Sequence, residues 1–131
     1  MTTADVRQLT RTALVFQRSA ADAAQQMARV VTRGALNVKN GWRENAIVTS
    51  GRHARLYPYT VNYDVHPIPG GAHAEIGPDR SKDHLQASYG AILEFGSVHN
   101  PPHNDGGRAL AEEDPRFVAA VAAVTLRMPW R

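Results

Sequence analysis

Six histidines in 131 residues raise the prospect of a metal site. His99 and His103 are four apart, a spacing that on a helix places two imidazoles on one face, as zinc sites do. Pro101 and Pro102 stand between them, so that stretch cannot be helical. A loop site from Glu94, His99, His103 and Asp105 can be drawn, but its spacing matches no known ligand pattern and no second shell supports it. His53, His66, His73 and His84 are scattered among apolar neighbours and read as solvent-facing. His73 and Glu75 share one strand face and read as a surface pair, with no acid–base role.

Nucleophilic chemistry is no better supported. There is no cysteine, hence no disulfide, thiolate metal site or thiol nucleophile. There is no Gly-x-Ser-x-Gly elbow. Gly70-Gly71 and Gly106-Gly107 lack the Lys-Ser/Thr and strand–helix setting of a phosphate loop. Glu112, Glu113 and Asp114 form the one acidic run, placed where it would suit the dipole of a following helix. No enzyme activity and no cofactor or metal is expected.

The strongest electrostatic feature is arginine. The chain has 15 basic and 12 acidic residues, a net charge of +3, and all but Lys39 and Lys82 of the basic residues are arginine. That balance is mild and does not by itself mark a nucleic-acid binder. Arg7, Arg11, Arg18, Arg29 and Arg33 are the exception, because on a helix they fall within about 80° of one another. Such a stripe fits a solvated face, contact with an acidic neighbour or contact with phosphates. No aromatics interleave it, so base stacking is not expected. Asp22 dilutes it.

The elements that must carry these residues follow from periodicity. Thr3 to about Arg33 holds no Pro or Gly, and Gly34 is the expected stop of a helix roughly 45 Å long. Its other side reads Leu9, Ala13, Phe16, Ala20, Ala23, Met27, Val30 and Val31. Trp42 to Thr49 reads as a short strand before a Ser50-Gly51 turn. Strict alternation of Tyr57, Tyr59, Val61, Tyr63 and Val65 predicts a strand with one buried face, with Pro58 at an edge or bulge. A tight connection through Pro67 to Gly71 leads to a second arm, Ala72 to Ile76, giving an antiparallel hairpin within a β-meander. Asp79 to His84 is a polar connection. Tyr89 to Phe95 predicts a short helix capped by Gly96, with a strand as the alternative at that length, and Ser97 to Gly107 a loop. Asp114-Pro115 opens a C-terminal helix with Phe117, Val121, Val124 and Met128 on one stripe, ended by Pro129. The fold class is α+β, in one domain over residues 1–131. No stretch is apolar enough to span a membrane, and no signal peptide is expected.

Tyr89-Gly90-Ala91-Ile92-Leu93-Glu94-Phe95-Gly96-Ser97 resembles a motif of the small neck proteins of long-tailed bacteriophages, a family called tail-completion, head–tail joining or minor tail component and related to tail terminators. Its members read Tyr-Ala, apolar residues, Glu, an aromatic, Gly and Thr or Ser. A Pro-containing loop and a final amphipathic helix follow. Here Pro101-Pro102, Ala109-Leu110 and Phe117 to Met128 stand at those places. Asn40-Gly41-Trp42-Arg43 stands where the family has Thr-Gly-x-Leu and a basic residue, and Ile76-Gly77-Pro78 is similar to its hairpin end. The loop departs from the family's Pro-Phe-Leu. The resemblance implies a structural virion protein without a catalytic site. It would be assembled in the host cytoplasm into a ring, generally a hexamer, between head connector or stopper and the tail terminator or tail tube. It also implies an interface at Tyr89, Glu94, Phe95 and Gly96. Closing a ring needs two complementary surfaces on each subunit. The arginine stripe and Glu112, Glu113 and Asp114 are the candidates. DNA passing through the lumen would meet such a subunit without being read by sequence. The alternative is a small DNA-backbone binder using the Arg-rich helix.

Overall fold

The computed structural model describes residues 3–127, with side chains described from Arg7 onward apart from those of Leu9 and Phe16. In chain order it contains α1 (Thr3–Thr49), β1 (Val61–Ile68), β2 (Gly71–Pro78), α2 (Gly90–Phe95) and α3 (Asp105–Leu126), with short 3₁₀ turns before β1 and between β2 and α2. The fold is α+β and 71% helical. Among the described residues, no helix is long and apolar enough to cross a membrane.

The first helix does not stop at Gly34. It continues for 47 residues, roughly 70 Å, and absorbs the Trp42–Thr49 run expected as a strand. The reason lies in packing. Gly34, Val38, Gly41, Trp42 and Asn45 prolong the stripe opposite the arginines, and α3 lies antiparallel against that stripe. A Cβ on Gly34 would sit 3.0 Å from Phe117 Cδ2, and one on Gly41 would sit 3.1 Å from Ala109 Cβ. These glycines let two helices approach closely, and burial outweighs their cost of about 1 kcal/mol each in helix propensity.

The second helix correction is at α3. It starts at Asp105, nine residues before the expected Asp114-Pro115 start, so Pro115 lies inside it. Pro115 and Ala111 are both exposed, so water can reach the carbonyl that the missing N–H leaves free. The loop accordingly ends at Asn104. Met128 and Pro129 lie outside the described residues.

The hairpin forms with His66 opposite His73 and Tyr63 opposite Ile76. It is a two-stranded sheet with no further meander strand among the described residues. Its inner face packs on α1: Ala72, Ala74 and Ile76 line a hollow together with Val31, Ala35 and Val38 of that helix, and Lys39 Nζ lies 5.7 Å from the Tyr63 ring centre. The alternation expected from Tyr57 begins only at Val61. Tyr57–Thr60 is a 3₁₀ turn in which Pro58 occupies the first turn and is buried, instead of sitting at a sheet edge. Thr60 Oγ1 closes that turn by donating to the Tyr57 carbonyl at 2.7 Å. Asp79 to His84 also winds into a 3₁₀ turn (Arg80–Leu85) where a plain connection was expected. Ser81 donates through its N–H and hydroxyl to Asp79, which holds that carboxyl below its usual pKa.

One apolar cluster joins Ala46, Ala54 and Tyr57, with Trp42 and Leu93 packed against them, and Ala35, Val38, Ala109 and Val124 are buried along α1 and α3. Trp42 Nε1 donates to the Tyr57 hydroxyl at 3.3 Å, and Arg43 Nε donates to the Val61 carbonyl at 2.9 Å. α1 is thus bonded to the segment that leads into the sheet.

Candidate functional site

The motif Tyr89–Ser97 folds into α2 and its caps. Its residues divide sharply between inside and outside. Leu93 faces the core, and Glu94 is 7% exposed. Tyr89, Ile92, Phe95 and the following Val98 face outward, Phe95 at 80% and Val98 at 96% exposure. Ile92 and Phe95 are three apart and share one helix face. Four large apolar side chains in one short stretch form a patch of the kind that marks a contact surface.

Gly96 ends α2 with φ +81°, and its N–H returns to the Ile92 carbonyl. A side chain there would be strained, and its Cβ would meet the Pro102 backbone N at 2.8 Å. Gly96 thus stands at the end of the helix as the expected cap. The loop then folds back: His103 N donates to the Leu93 carbonyl at 2.8 Å and Asn104 N to the Glu94 carbonyl at 3.2 Å.

Glu94 is not the surface contact group anticipated from the sequence. Its two oxygens accept from the N–H groups of Gly106 and Gly107, both at 3.0 Å. It therefore caps the first turn of α3 from another helix, placing negative charge at the positive end of the dipole. Asn104, at the local cap position, adopts φ +53° and offers no side-chain cap. Asp105 beside it is fully buried. It accepts from Thr49 Oγ1 at 2.8 Å and is paired with Arg108 at 2.7 Å. Asn45 Nδ2 donates to the Asp105 carbonyl. Two buried carboxylates thus fasten α2, α3 and the end of α1 together. Burial, together with the negative charges of Glu94 and Asp105, pushes the Tyr57 hydroxyl up to about 12, although its hydrogen bond with Trp42 pulls the other way.

The acidic run is also divided. It lies in the middle of α3, not before it, so it does not complement the helix dipole. Glu113 is 5% exposed and turned against α1: Asn37 Nδ2 donates to it at 2.9 Å, and Arg116 pairs with it at 2.9 Å. Glu112 and Asp114 are exposed. Of the three candidate acidic contact residues, only these two face outward.

The arginines all sit on α1 as the stripe requires. Arg7, Arg11, Arg18, Arg29 and Arg33 are exposed, and among the described residues none makes an ion pair. Between Arg7 and Asp22 every described side chain is exposed except that of Ser19, including Leu14 at 47% and Val15 at 55%. At about 100° per residue Leu14 and Val15 fall at the two edges of the arginine stripe, so the front of α1 presents a cationic face flanked by uncovered apolar groups.

Metal chemistry in the histidine loop is not assembled. Glu94 is committed to the α3 backbone, and His99 is exposed. His103 Nδ1 lies 3.8 Å from Asp105. The His73–Glu75 surface pair is present at 3.9 Å. Sequence reasoning missed the structural use of Asn37, Asn45, Thr49 and Asp105. For the three on α1 the available signal was polarity recurring on the packed stripe; Asp105, at the start of α3, carried none. No family model, curated protein or solved structure matches the chain.

Proposed function

We propose that this chain is a structural subunit of a bacteriophage neck, joining head connector to tail tube as one member of a ring, in the role of a tail-completion, head–tail joining or tail-terminator protein. The carrying observation is the Tyr89–Ser97 segment. Its sequence resembles the neck-protein motif, and the fold holds its Phe95 and the adjoining Val98 in solvent at 80% and 96% exposure. An isolated subunit gains nothing from that exposure. A neighbouring subunit seated on the patch would remove it from water. The exposed front of α1 supplies a second surface, as heterologous ring closure demands. In this reading Tyr89 and Phe95 touch a neighbour, while Glu94 and Gly96 fix the shape of the patch from behind. Glu112 and Asp114 remain as partners for the arginine stripe. The chain carries out no reaction, and its place is the virion.

The test is removal of the protein from the virus that encodes it. Full heads and unattached tails are the expected particles under the electron microscope. Normal joined virions would overturn the reading. A second reading, a DNA-backbone binder, is favoured by one observation: five exposed arginines on one helix face. It requires duplex binding by the isolated chain whose logarithmic affinity falls steeply with salt.

A further inference from the structure

The solvent face of the hairpin carries a set of donors that the neck reading does not use. In the antiparallel register His66 stands opposite His73, and Asp64 opposite Glu75. Opposed residues, and residues two apart on one strand, share a face. All four therefore project from the same side, and all four are exposed. The opposite side of the hairpin packs on α1, so the face is presented on a backed sheet.

We propose that His66, His73 and Glu75 form a binding site for a divalent transition-metal ion of zinc type. One donor atom from each lies within 4.8 Å of the others. The two imidazoles are 5.0 Å apart between ring centres and tilted by 34°, and His73 Nε2 is 3.9 Å from Glu75 Oε1. Tetrahedral zinc with bonds of about 2.0–2.1 Å needs donors roughly 3.3 Å apart. Side-chain rotation alone can close that gap, because every donor ends a rotatable, solvent-facing side chain. Two imidazoles and one carboxylate suit zinc and its neighbours, whereas magnesium and calcium prefer oxygen donors alone.

A second observation points the same way. Asp64 and Glu75 are like charges directly across a strand pair, an arrangement that destabilises a sheet. A bound cation turns that repulsion into attraction. A polar hollow of about 340 Å³, lined among others by Asp64, Glu75 and Arg80, adjoins the site and leaves its open side to water.

The experiment titrates zinc chloride into the full-length, untagged chain by calorimetry. One ion per chain with saturable binding is expected. His66→Ala and His73→Ala should each weaken binding by at least about tenfold, and His53→Ala should leave it unchanged. These groups are exposed, so the variants should keep the wild-type circular dichroism spectrum. Magnesium in large excess should not displace the zinc. The proposal is overturned if zinc fails to bind at millimolar concentration. It is equally overturned if the His66→Ala/His73→Ala double variant binds as the parent does, or if magnesium displaces the ion. None of these outcomes bears on whether the chain joins heads to tails.

Discussion

Glu94 shows how a single carboxylate can look like a contact residue and act as a structural one. Its two bonds to Gly106 and Gly107 replace a cap that Asn104 does not provide. Hydrogen bonds to a buried charge contribute about 1.5–3 kcal/mol each, less whatever neighbours recover. Glu94→Ala should therefore lower stability by about 2–4 kcal/mol in urea denaturation, well beyond a surface substitution. A change within about 0.5 kcal/mol would place the cap elsewhere. Tyr57 gives a pH signature. In the unfolded chain its hydroxyl ionises near 10.0, whereas in the fold it holds its proton to about 12. Between those values the unfolded state loses a proton that the folded state keeps. The contribution is intact below pH 10 and falls away as pH rises toward 12, by roughly 2–3 kcal/mol. Tyr57→Phe should flatten that alkaline decline in denaturation curves taken at successive pH values.

At the scale of elements, proline and glycine behave differently here from their usual role as punctuation. Pro115 sits in an exposed helix interior, where proline costs about 3 kcal/mol relative to alanine. Pro115→Ala should stabilise the protein by about 1–3 kcal/mol, the lower part of that range allowing for the freer unfolded chain. Gly41 is the opposite case. Its close approach to Ala109 leaves no room for a branched side chain, so Gly41→Val should destabilise by about 1–3 kcal/mol despite its better helix propensity. The midpoint of thermal unfolding, read by circular dichroism, orders the two variants on either side of the parent. These positions also show what could be read in advance. The period-two run Val61 to Val65 needed only its own neighbours to be recognised, and so did Gly96. Gly34 carries a local stop signal and Asp114-Pro115 a local start signal, and both lose to contact between α1 and α3, two segments far apart in sequence. Glu94 was identifiable as special, but its role depends on Gly106 and Gly107 arriving beside it, and no local pattern announces that.

For the whole molecule the decisive quantity is what remains uncovered. In the proposed neck ring, the Phe95 patch and the cationic front of α1 belong to two different contacts. Phe95→Ser with Val98→Ser should abolish assembly while leaving the fold intact, because both side chains are almost fully in solvent. Arg7, Arg11 and Arg18 exchanged for glutamate should do the same from the other surface. Analytical ultracentrifugation of the chain with its neck partners reads both. Assembly unaffected by either set would remove the surfaces assigned here. Finally, α1 is one unbroken rod that is anchored over its rear half and free-standing, in its described side chains, over much of the rest. Such a rod is a lever. A tilt of about 10° at the anchored part sweeps the tip, about 30 Å away, through about 5 Å. Small adjustments in how α3 and the hairpin grip the helix are thereby magnified into a displacement that a neighbour holding the tip would feel.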